Sequence, residues 1–222
     1  TPHFFLSSVK VRTMRYGLLA IYLILVITSC KLMNKEEEKK ATKTSGTMMK
    51  RFKPVDWAHS TNIYEVNLRQ YTIAGTFNAF LQELPRLKEM GVQTLWFMPL
   101  TPIAQKNKKG SLGSYYACSD YTSINPEFGT LEDLKALVKQ AHEMGFRIII
   151  DWVANHTGWD HVWTKEHPEY YKIDPVTKDF QIASGMDDII ELDFSKPALR
   201  KSMTDAMKYW VTECDIDGFR CD

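Results

Sequence analysis

The chain has 222 residues, of which 44% are hydrophobic and 25% are charged, a composition typical of a globular protein with an ordinary core. Its formal net charge of +1 gives no electrostatic support for a nucleic-acid partner. The basic run from Lys106 to Gly110 is short and has no interleaved aromatic residues, so we interpret it as a solvated loop. We therefore expect no polyanionic partner.

The N-terminal segment has the pattern of a secretory signal peptide. Met14 is followed by Arg15, about eleven mostly apolar residues and small residues ahead of Cys30. This run is shorter than the roughly 20 residues that a membrane span needs. Its ending, "ITSC", resembles a bacterial lipobox, so residues 14–30 are predicted to be a lipoprotein signal peptide with Cys30 as the lipidated residue. An uncleaved anchor and a plain signal peptide are the alternatives, and residues 1–13 are expected to be upstream sequence ahead of the natural start.

Residues 31–55 are charged, poor in aromatic residues and without hydrophobic periodicity, which predicts a flexible tether. A lipidated cysteine followed by a tether would hold the folded part outside the cytoplasm, anchored to a bacterial membrane. The remaining cysteines, Cys118, Cys214 and Cys221, are odd in number and lack metal-site spacing. We expect buried free thiols rather than a disulfide or a zinc site.

The folded part, residues 56–222, alternates short apolar runs with amphipathic stretches, which predicts βα units and a parallel sheet. "NIYEVNL" and "TLWFM" are the first two strands, and the helix between them contains Pro85, which predicts a kink or two helices. After a long loop, a helix runs from Thr130 to Met144. Thr130 and Asp133 form a variant capping box, and Leu131, Leu134, Val138 and Ala141 are predicted to be its buried stripe.

The third strand, "RIIIDWV", is apolar on both faces, as a strand covered by helices should be. An excursion over about residues 154–193 follows, then a helix from near Ser195 to about Glu213 and a fourth strand, "IDGFRC". Both long loops follow the carboxyl ends of strands. Ligands bind at that edge in parallel α/β folds, so the chemistry is expected there.

Polar side chains end two of these strands. Arg220 and Asp222 alternate onto one face of the fourth strand, where the arginine can keep the carboxylate ionised, as a nucleophile requires. Asp151 follows three isoleucines, and its charged carboxylate is costly to bury unless it is paired with another group or has a functional role. Asn155 and His156 lie just beyond it. A structural ion pair and turn-forming polar residues are the alternatives.

The loop "GSYYACSDYTSINPEFGT" supplies Tyr115, Tyr116 and Tyr121. Aromatic faces stack on sugar rings, although aromatic residues in loops also form lids and local cores. The motifs "IYEVNLRQYT", "LWFMPLTPI", this loop, "DWVANHT" and "DGFRCD" in this order resemble the α-amylase family, glycoside hydrolase family thirteen, and particularly its bacterial extracytoplasmic members. The resemblance covers about Trp57 to Asp222. It implies an α/β fold that is part of a (β/α)8 TIM barrel, strands one to four, with a small inserted domain after the third strand.

The resemblance also implies roles for individual residues. Asp222 would be the nucleophile of a retaining glycosidase and Arg220 its charge partner. Asp151 and His156 would bind the sugar beside the scissile bond, with Tyr116 stacking beneath it. Residues implied as calcium ligands are Asn155 and Asp193, although two oxygen donors fall short of the roughly six to eight that calcium takes. Tyr115 stands where many relatives have Gly or Pro, a departure that concerns the local turn.

A retaining glycosidase needs a second carboxyl group as general acid, which the resemblance places on a fifth strand. The first strand to Asp222 gives about 160 residues, whereas a barrel needs about 250. We therefore expect an N-terminal fragment that is inactive alone. The expected substrate is an α-glucan such as starch or maltooligosaccharides. The alternatives are a transglycosylase or α-1,6-glucosidase of the same family, and a non-catalytic carbohydrate-binding member.

Overall fold

The computed structural model describes residues 53–222, and a compact unit spans Trp57–Asp222. The predicted signal peptide, its Cys30 and most of the predicted tether lie outside the described residues. Within residues 53–222, none of the helices combines the length and the apolar character needed to cross a membrane.

Seven strands and six helices make up the described unit. The strands are β1 Ile63–Val66, β2 Thr94–Phe97, β3 Arg147–Trp152, β4 His156–Gly158, β5 Ile182–Ala183, β6 Met186–Glu191 and β7 Gly218–Cys221. The helices are α1 Leu68–Tyr71, α2 Phe77–Leu81, α3 Leu84–Glu89, α4 Leu131–Glu143, α5 Trp163–Glu166 and α6 Pro197–Cys214. Single 3-10 turns occupy Asp56–His59 and Pro168–Tyr170.

The four predicted strands form one sheet in the order β1-β2-β3-β7, and every neighbouring pair is parallel. Helices α1, α2 and α3 lie between β1 and β2, α4 connects β2 to β3, and α6 precedes β7. Sequential parallel strands separated by helices are the construction of a (β/α)8 barrel wall. Inward and outward side chains of β2 and β3 are largely buried, which agrees with the predicted two-sided covering.

The helix boundaries follow local signals. Pro85 lies in the first turn of α3, where its missing N–H has no partner to lose, so the predicted helix is two helices. The Thr130 hydroxyl accepts the Asp133 N–H, and the Asp133 carboxylate accepts the Thr130 N–H, which completes the capping box of α4. The buried stripe of α4 differs by one residue from the prediction, because Leu137 is buried whereas Leu131 is only partly buried.

The expected burial of the cysteines is confirmed for two of three. Cys118 and Cys214 are buried free thiols, and burial raises their pKa values to about 12 and about 11. Cys221 is exposed, contrary to the prediction, because it ends β7, an edge strand of the described sheet whose other residues are themselves only partly buried.

Two long segments follow the carboxyl ends of β2 and β3. The segment from Pro99 to Gly129 has little regular structure, whereas the segment after β3 forms a small antiparallel sheet in the order β4-β6-β5. The two segments are tightly packed, since the Gly158 N–H donates to the Cys118 carbonyl at 2.8 Å and a Cβ on Gly158 would lie 2.0 Å from Ala104 Cβ. This contact holds the tyrosine-bearing loop against the inserted sheet.

Candidate active site at the carboxyl edge of the sheet

The register of β3 and β7 creates a charged cluster at the carboxyl edge of the sheet. Asp151 and Arg220 are directly paired residues of the two strands. Arg220 Nη1 donates to Asp151 Oδ1 at 3.1 Å and to Oδ2 at 3.3 Å, and the same nitrogen also contacts Asp222 Oδ1. One guanidinium therefore joins both predicted carboxylates.

Asp151 is a buried acceptor that is held in place by two donors. Its side chain has no exposed surface, and its Oδ2 accepts the Tyr116 hydroxyl at 3.1 Å. Burial raises the pKa of Asp151, while hydrogen bonds from Arg220 and Tyr116 oppose that rise. Burial and the nearby Asp151 charge raise the pKa of Tyr116 to about 12, so its hydroxyl remains a donor at neutral pH. Held in this way, Asp151 is suited to fix the positions of Arg220 and Tyr116 rather than to exchange protons.

Asp222 is the exposed carboxylate of the cluster. Its backbone N–H donates to the Trp152 carbonyl at 3.0 Å, and its charge is close enough to influence both Tyr116 and His156. An ionised carboxylate that is accessible and paired with an arginine on one side can attack an electrophilic carbon from the other. The predicted grouping of Asp222, Arg220, Asp151 and Tyr116 is therefore present in the structure.

His156 lies in β4 and offers a hydrogen-bond donor. Burial lowers the pKa of His156, which favours the neutral ring. The Asn155 side-chain amide Nδ2 lies 3.3 Å from His156 Nδ1. Because an amide nitrogen donates, His156 Nδ1 accepts this hydrogen bond and His156 Nε2 carries the ring proton. Buried Nε2 makes no hydrogen bond of normal geometry among residues 53–222, although the nearby Tyr116 backbone opposes the lowering of the His156 pKa. A buried donor without a partner is costly, and a ligand hydroxyl could satisfy it.

The three tyrosines of the loop differ in function. Tyr121 is buried, and its hydroxyl donates to the Val153 carbonyl at 2.7 Å and to the His156 carbonyl at 3.1 Å. It belongs to a local core with Trp152 and therefore cannot stack on a sugar. Tyr116 is half-buried at the edge beside Asp151, where stacking is possible.

Tyr115 is anchored to the end of β1, which sequence reasoning did not foresee. Its hydroxyl donates to Asn67 Oδ1 at 3.1 Å, and the Arg69 guanidinium lies 4.4 Å from its ring centroid. Arg69 in turn pairs with Glu127 at 2.7 Å. The motif "VNLR" was visible in the sequence, but nothing in it indicated a partner 48 residues away.

Trp96 on β2 is a second residue that the sequence analysis missed. The Arg220 guanidinium carbon lies 4.8 Å from its ring centroid, within the range of a cation–π contact. The arginine is therefore held by two carboxylates and an aromatic face. The only signal in the sequence that could have indicated Trp96 was its position in the alternation of side chains along "TLWFM".

The two predicted calcium ligands lie in adjacent backbone segments, since the Leu192 N–H donates to the Asn155 carbonyl at 3.2 Å. The Asp193 carboxylate, however, accepts the Ser195 N–H at 3.1 Å and lies 3.6 Å from Lys196 Nζ, which are contacts of a turn before α6. Within the described part of the chain, no group of three or more acidic, histidine or cysteine side chains could hold a metal ion. These donors do not fit a calcium site by themselves, and calcium stays a prediction.

Known proteins resemble this chain over most of its described length. The model of the alpha-amylase catalytic domain matches residues 40–185. The crystal structure of an alpha-amylase from Lactobacillus plantarum superimposes with a TM-score of 0.70 at 41% identity, covering 73% of this chain and 38% of that one. A noncanonic maltogenic alpha-amylase from Thermotoga neapolitana gives a TM-score of 0.68 at 40% identity, covering 72% of this chain and 38% of that one.

The curated relatives have more varied names than these two solved structures. Alpha-amylase 3 of Dictyoglomus thermophilum is 28% identical over 194 residues, covering 75% of this chain and 37% of the relative. A trehalose synthase of Thermus thermophilus is 30% identical over 204 residues, covering 75% of this chain and 20% of the relative. The chain thus spans less than half the length of these proteins. The described sheet is a part of their TIM barrel, and the chain belongs to the alpha-amylase family.

Proposed function

We propose that this chain carries part of the active site of a retaining glycosidase that acts on α-glucans such as starch and maltooligosaccharides. The observation that carries the proposal is the cluster in which Arg220 contacts both Asp151 and Asp222 while Tyr116 donates to Asp151. Membership in the alpha-amylase family supports the substrate class.

In the proposed mechanism Asp222 attacks the anomeric carbon and forms a glycosyl ester, which water then hydrolyses. Arg220 contacts the nucleophile and directs one of its oxygens. The Nε2–H of His156 holds a hydroxyl group of the sugar ring, and Tyr116 stacks beneath that ring. The predicted contribution of Asp151 to sugar binding is made through Arg220 and Tyr116, which it fixes in position. These side chains bind and orient the substrate, so the developing charge forms at a fixed position.

The reaction also needs a carboxylic acid to protonate the leaving oxygen. Asp151 does not suit that role, because Arg220 and Tyr116 already occupy its oxygens and oppose protonation. The expectation that a glutamate after a further strand is the acid remains a prediction. No step of the proposal depends on calcium.

The stereochemical outcome tests the proposal. The protein expressed from the complete reading frame should release products from maltoheptaose whose first-formed anomer, observed by proton NMR, is α. Asp222→Asn should abolish that release, whereas Asp205→Asn, at an exposed carboxylate on α6 outside the cluster, should retain it. Release of the β anomer would contradict the retaining mechanism.

A transferase is the second candidate, because the similar proteins include a trehalose synthase and a maltosyltransferase. Product analysis with a high concentration of maltose as acceptor separates the two. Formation of oligosaccharides longer than maltose, in greater amount than free glucose, would favour transfer. Hydrolysis of pullulan rather than amylose would favour an α-1,6-glucosidase, and glucan binding without any product would favour the non-catalytic alternative.

We further propose that the protein is lipid-anchored outside the cytoplasm through Cys30, with residues 31–55 as the tether. The support is the sequence pattern of residues 14–30 alone. Metabolic labelling with a radioactive fatty acid should label the protein, and Cys30→Ser should remove the label. Labelling that persists in Cys30→Ser would contradict this assignment.

A further inference from the structure

A cavity of about 580 Å³ lies in the inserted segment between β3 and α6, which includes the sheet of β4, β5 and β6. Its walls include Trp159, Asp174, Thr177, Asp179, Phe180 and Gln181. None of them belongs to the cluster around Arg220. The volume is within the roughly 300–1,000 Å³ of small-molecule sites, so the cavity can accept a ligand.

One wall of this cavity is aromatic and fixed. Trp159 Nε1 donates to the Asp187 carbonyl at 2.8 Å, and Lys106 Nζ lies 5.0 Å from the indole centroid. The Phe180 ring lies 6.5 Å from that of Trp159 and packs against Tyr171 at 4.9 Å. Because both rings are already held, a ligand that stacks on them would lose little of its binding energy to ordering the wall.

The remaining wall is polar apart from Ile182, and three of its polar side chains make hydrogen bonds within the protein. Asp174 Oδ1 accepts the N–H groups of Val176 and Thr177, both at 2.8 Å, and these bonds lower the pKa of Asp174. Asp179 Oδ1 accepts the Phe180 N–H at 2.7 Å. Gln181 Nε2 donates to Glu191 Oε2 at 2.9 Å. Carboxylates with set orientations therefore stand beside the aromatic rings.

This combination favours one ligand class. A sugar ring has apolar C–H faces, which suit an aromatic wall, and a rim of hydroxyl donors, which suit carboxylate acceptors. A cation is disfavoured, because the described residues include no group of three or more metal-ligating side chains. We propose that the Trp159 cavity binds glucosyl units of an α-glucan, as a second contact in addition to the edge at Asp222.

The identity of the sugar rests on the proposed function, because the cavity chemistry alone specifies a carbohydrate. A second contact on the same polymer would raise the overall affinity for long chains far more than for short ones, since the second binding event becomes intramolecular. The cavity should thus affect long glucans such as amylopectin strongly and maltose little.

Binding is measured with the protein expressed from the complete reading frame, in an Asp222→Asn background that prevents turnover. Trp159→Ala should weaken the binding of soluble amylose in isothermal titration calorimetry by about tenfold, and it should release the protein from retardation in amylopectin gels. Trp57→Ala is the matched control, because Trp57 is also a partly exposed tryptophan but is not part of the cavity wall. It should bind as the parent does.

Trp159→Ala could destabilise the inserted sheet, so a second variant fills the cavity from its rim. Thr177 is exposed, and Thr177→Arg should weaken binding as well while leaving the melting temperature unchanged. Parental affinity in both cavity variants would overturn the proposal. Equal retardation by a β-linked glucan would overturn the assignment to α-glucans.

The two proposals fail separately. If the protein hydrolyses maltoheptaose through Asp222 but Trp159→Ala binds amylopectin normally, the cavity proposal is wrong and the function stands. If binding depends on Trp159 but no product forms under any condition, the cavity proposal stands and the proposed catalysis is wrong.

Discussion

Replacing Arg220 by glutamine removes the single cation that joins the two carboxylates at the sheet edge. Arg220 Nη1 is 3.1 Å from Asp151 Oδ1 and also contacts Asp222, while its guanidinium lies over Trp96. Glutamine keeps the aliphatic part of the side chain but carries no charge. Asp151, whose side chain is fully buried, would lose its ionic partner.

The cost can be estimated from the burial of the two partners. Truncating one partner of a buried, hydrogen-bonded charge pair costs about 2–5 kcal/mol. The Arg220 side chain is 38% exposed, so water can replace part of the lost interaction and the lower end applies, about 2–3 kcal/mol. A domain of this size loses about 2–4 °C of melting temperature per kcal/mol, which gives a decrease of about 4–12 °C.

The decrease should depend on pH with a defined sign. Burial raises the pKa of Asp151 in the folded state, and Arg220 is the first group that opposes the rise. A carboxyl group with a raised folded pKa binds protons on folding, so its ionisation destabilises the fold as the pH increases above the unfolded value of about 3.9. Without Arg220 that pKa rises further. The stability deficit of the variant should therefore be large at pH 7 and small near pH 4.

Thermal unfolding followed by circular dichroism at pH 7 and at pH 4.5 measures this difference. Arg220→Lys, which keeps the charge but not the forked geometry, should show a smaller deficit at pH 7. Adding Asp151→Asn to Arg220→Gln should recover part of the loss, because the buried charge is gone. A deficit that is equal at both pH values, or larger at pH 4.5, would refute the electrostatic explanation.

Three further changes test local parts of the structure. Tyr115→Phe removes the hydrogen bond to Asn67 and should raise KM for maltoheptaose about two- to fivefold with little change in kcat, because the loop carrying Tyr116 is less well held. An unchanged KM would show that this hydrogen bond does not position the loop. Gly158→Ala should lower stability by about 1–3 kcal/mol in thermal unfolding, because the new Cβ would lie 2.0 Å from Ala104 Cβ. Adding Ala104→Gly to this variant should restore the stability. A Gly158→Ala variant as stable as the parent would disprove the contact. Thr130→Ala should cost about 1 kcal/mol through loss of the capping box, whereas Thr130→Ser should cost less.

The strands and helices could be predicted because their signals are local. The capping box of α4 and Pro85 in α3 both depend on residues within one helical turn. The cluster could also be foreseen in part. Neighbouring parallel strands bring their carboxyl ends together, so Asp151 and Arg220 had to meet once β3 and β7 were adjacent.

The rest of the site depends on the path of long loops and on distant packing. Tyr115 meets Asn67 across 48 residues, and Tyr121 is buried beneath Trp152, so identical residue types in one loop have different roles. The contact of Trp96 with Arg220 spans three strands of the sheet. Contacts between residues so far apart in the sequence cannot be predicted from hydrophobic periodicity or from composition.

Trapping the covalent intermediate identifies the side chain that attacks the sugar. The protein expressed from the complete reading frame is incubated with a slowly hydrolysed fluorinated α-glucosyl fluoride, digested with a protease and analysed by mass spectrometry. We expect one peptide whose mass increases by one fluorinated glucosyl group, with the modification on Asp222. A label on Asp151 or on any other side chain would show that Asp222 is not the nucleophile.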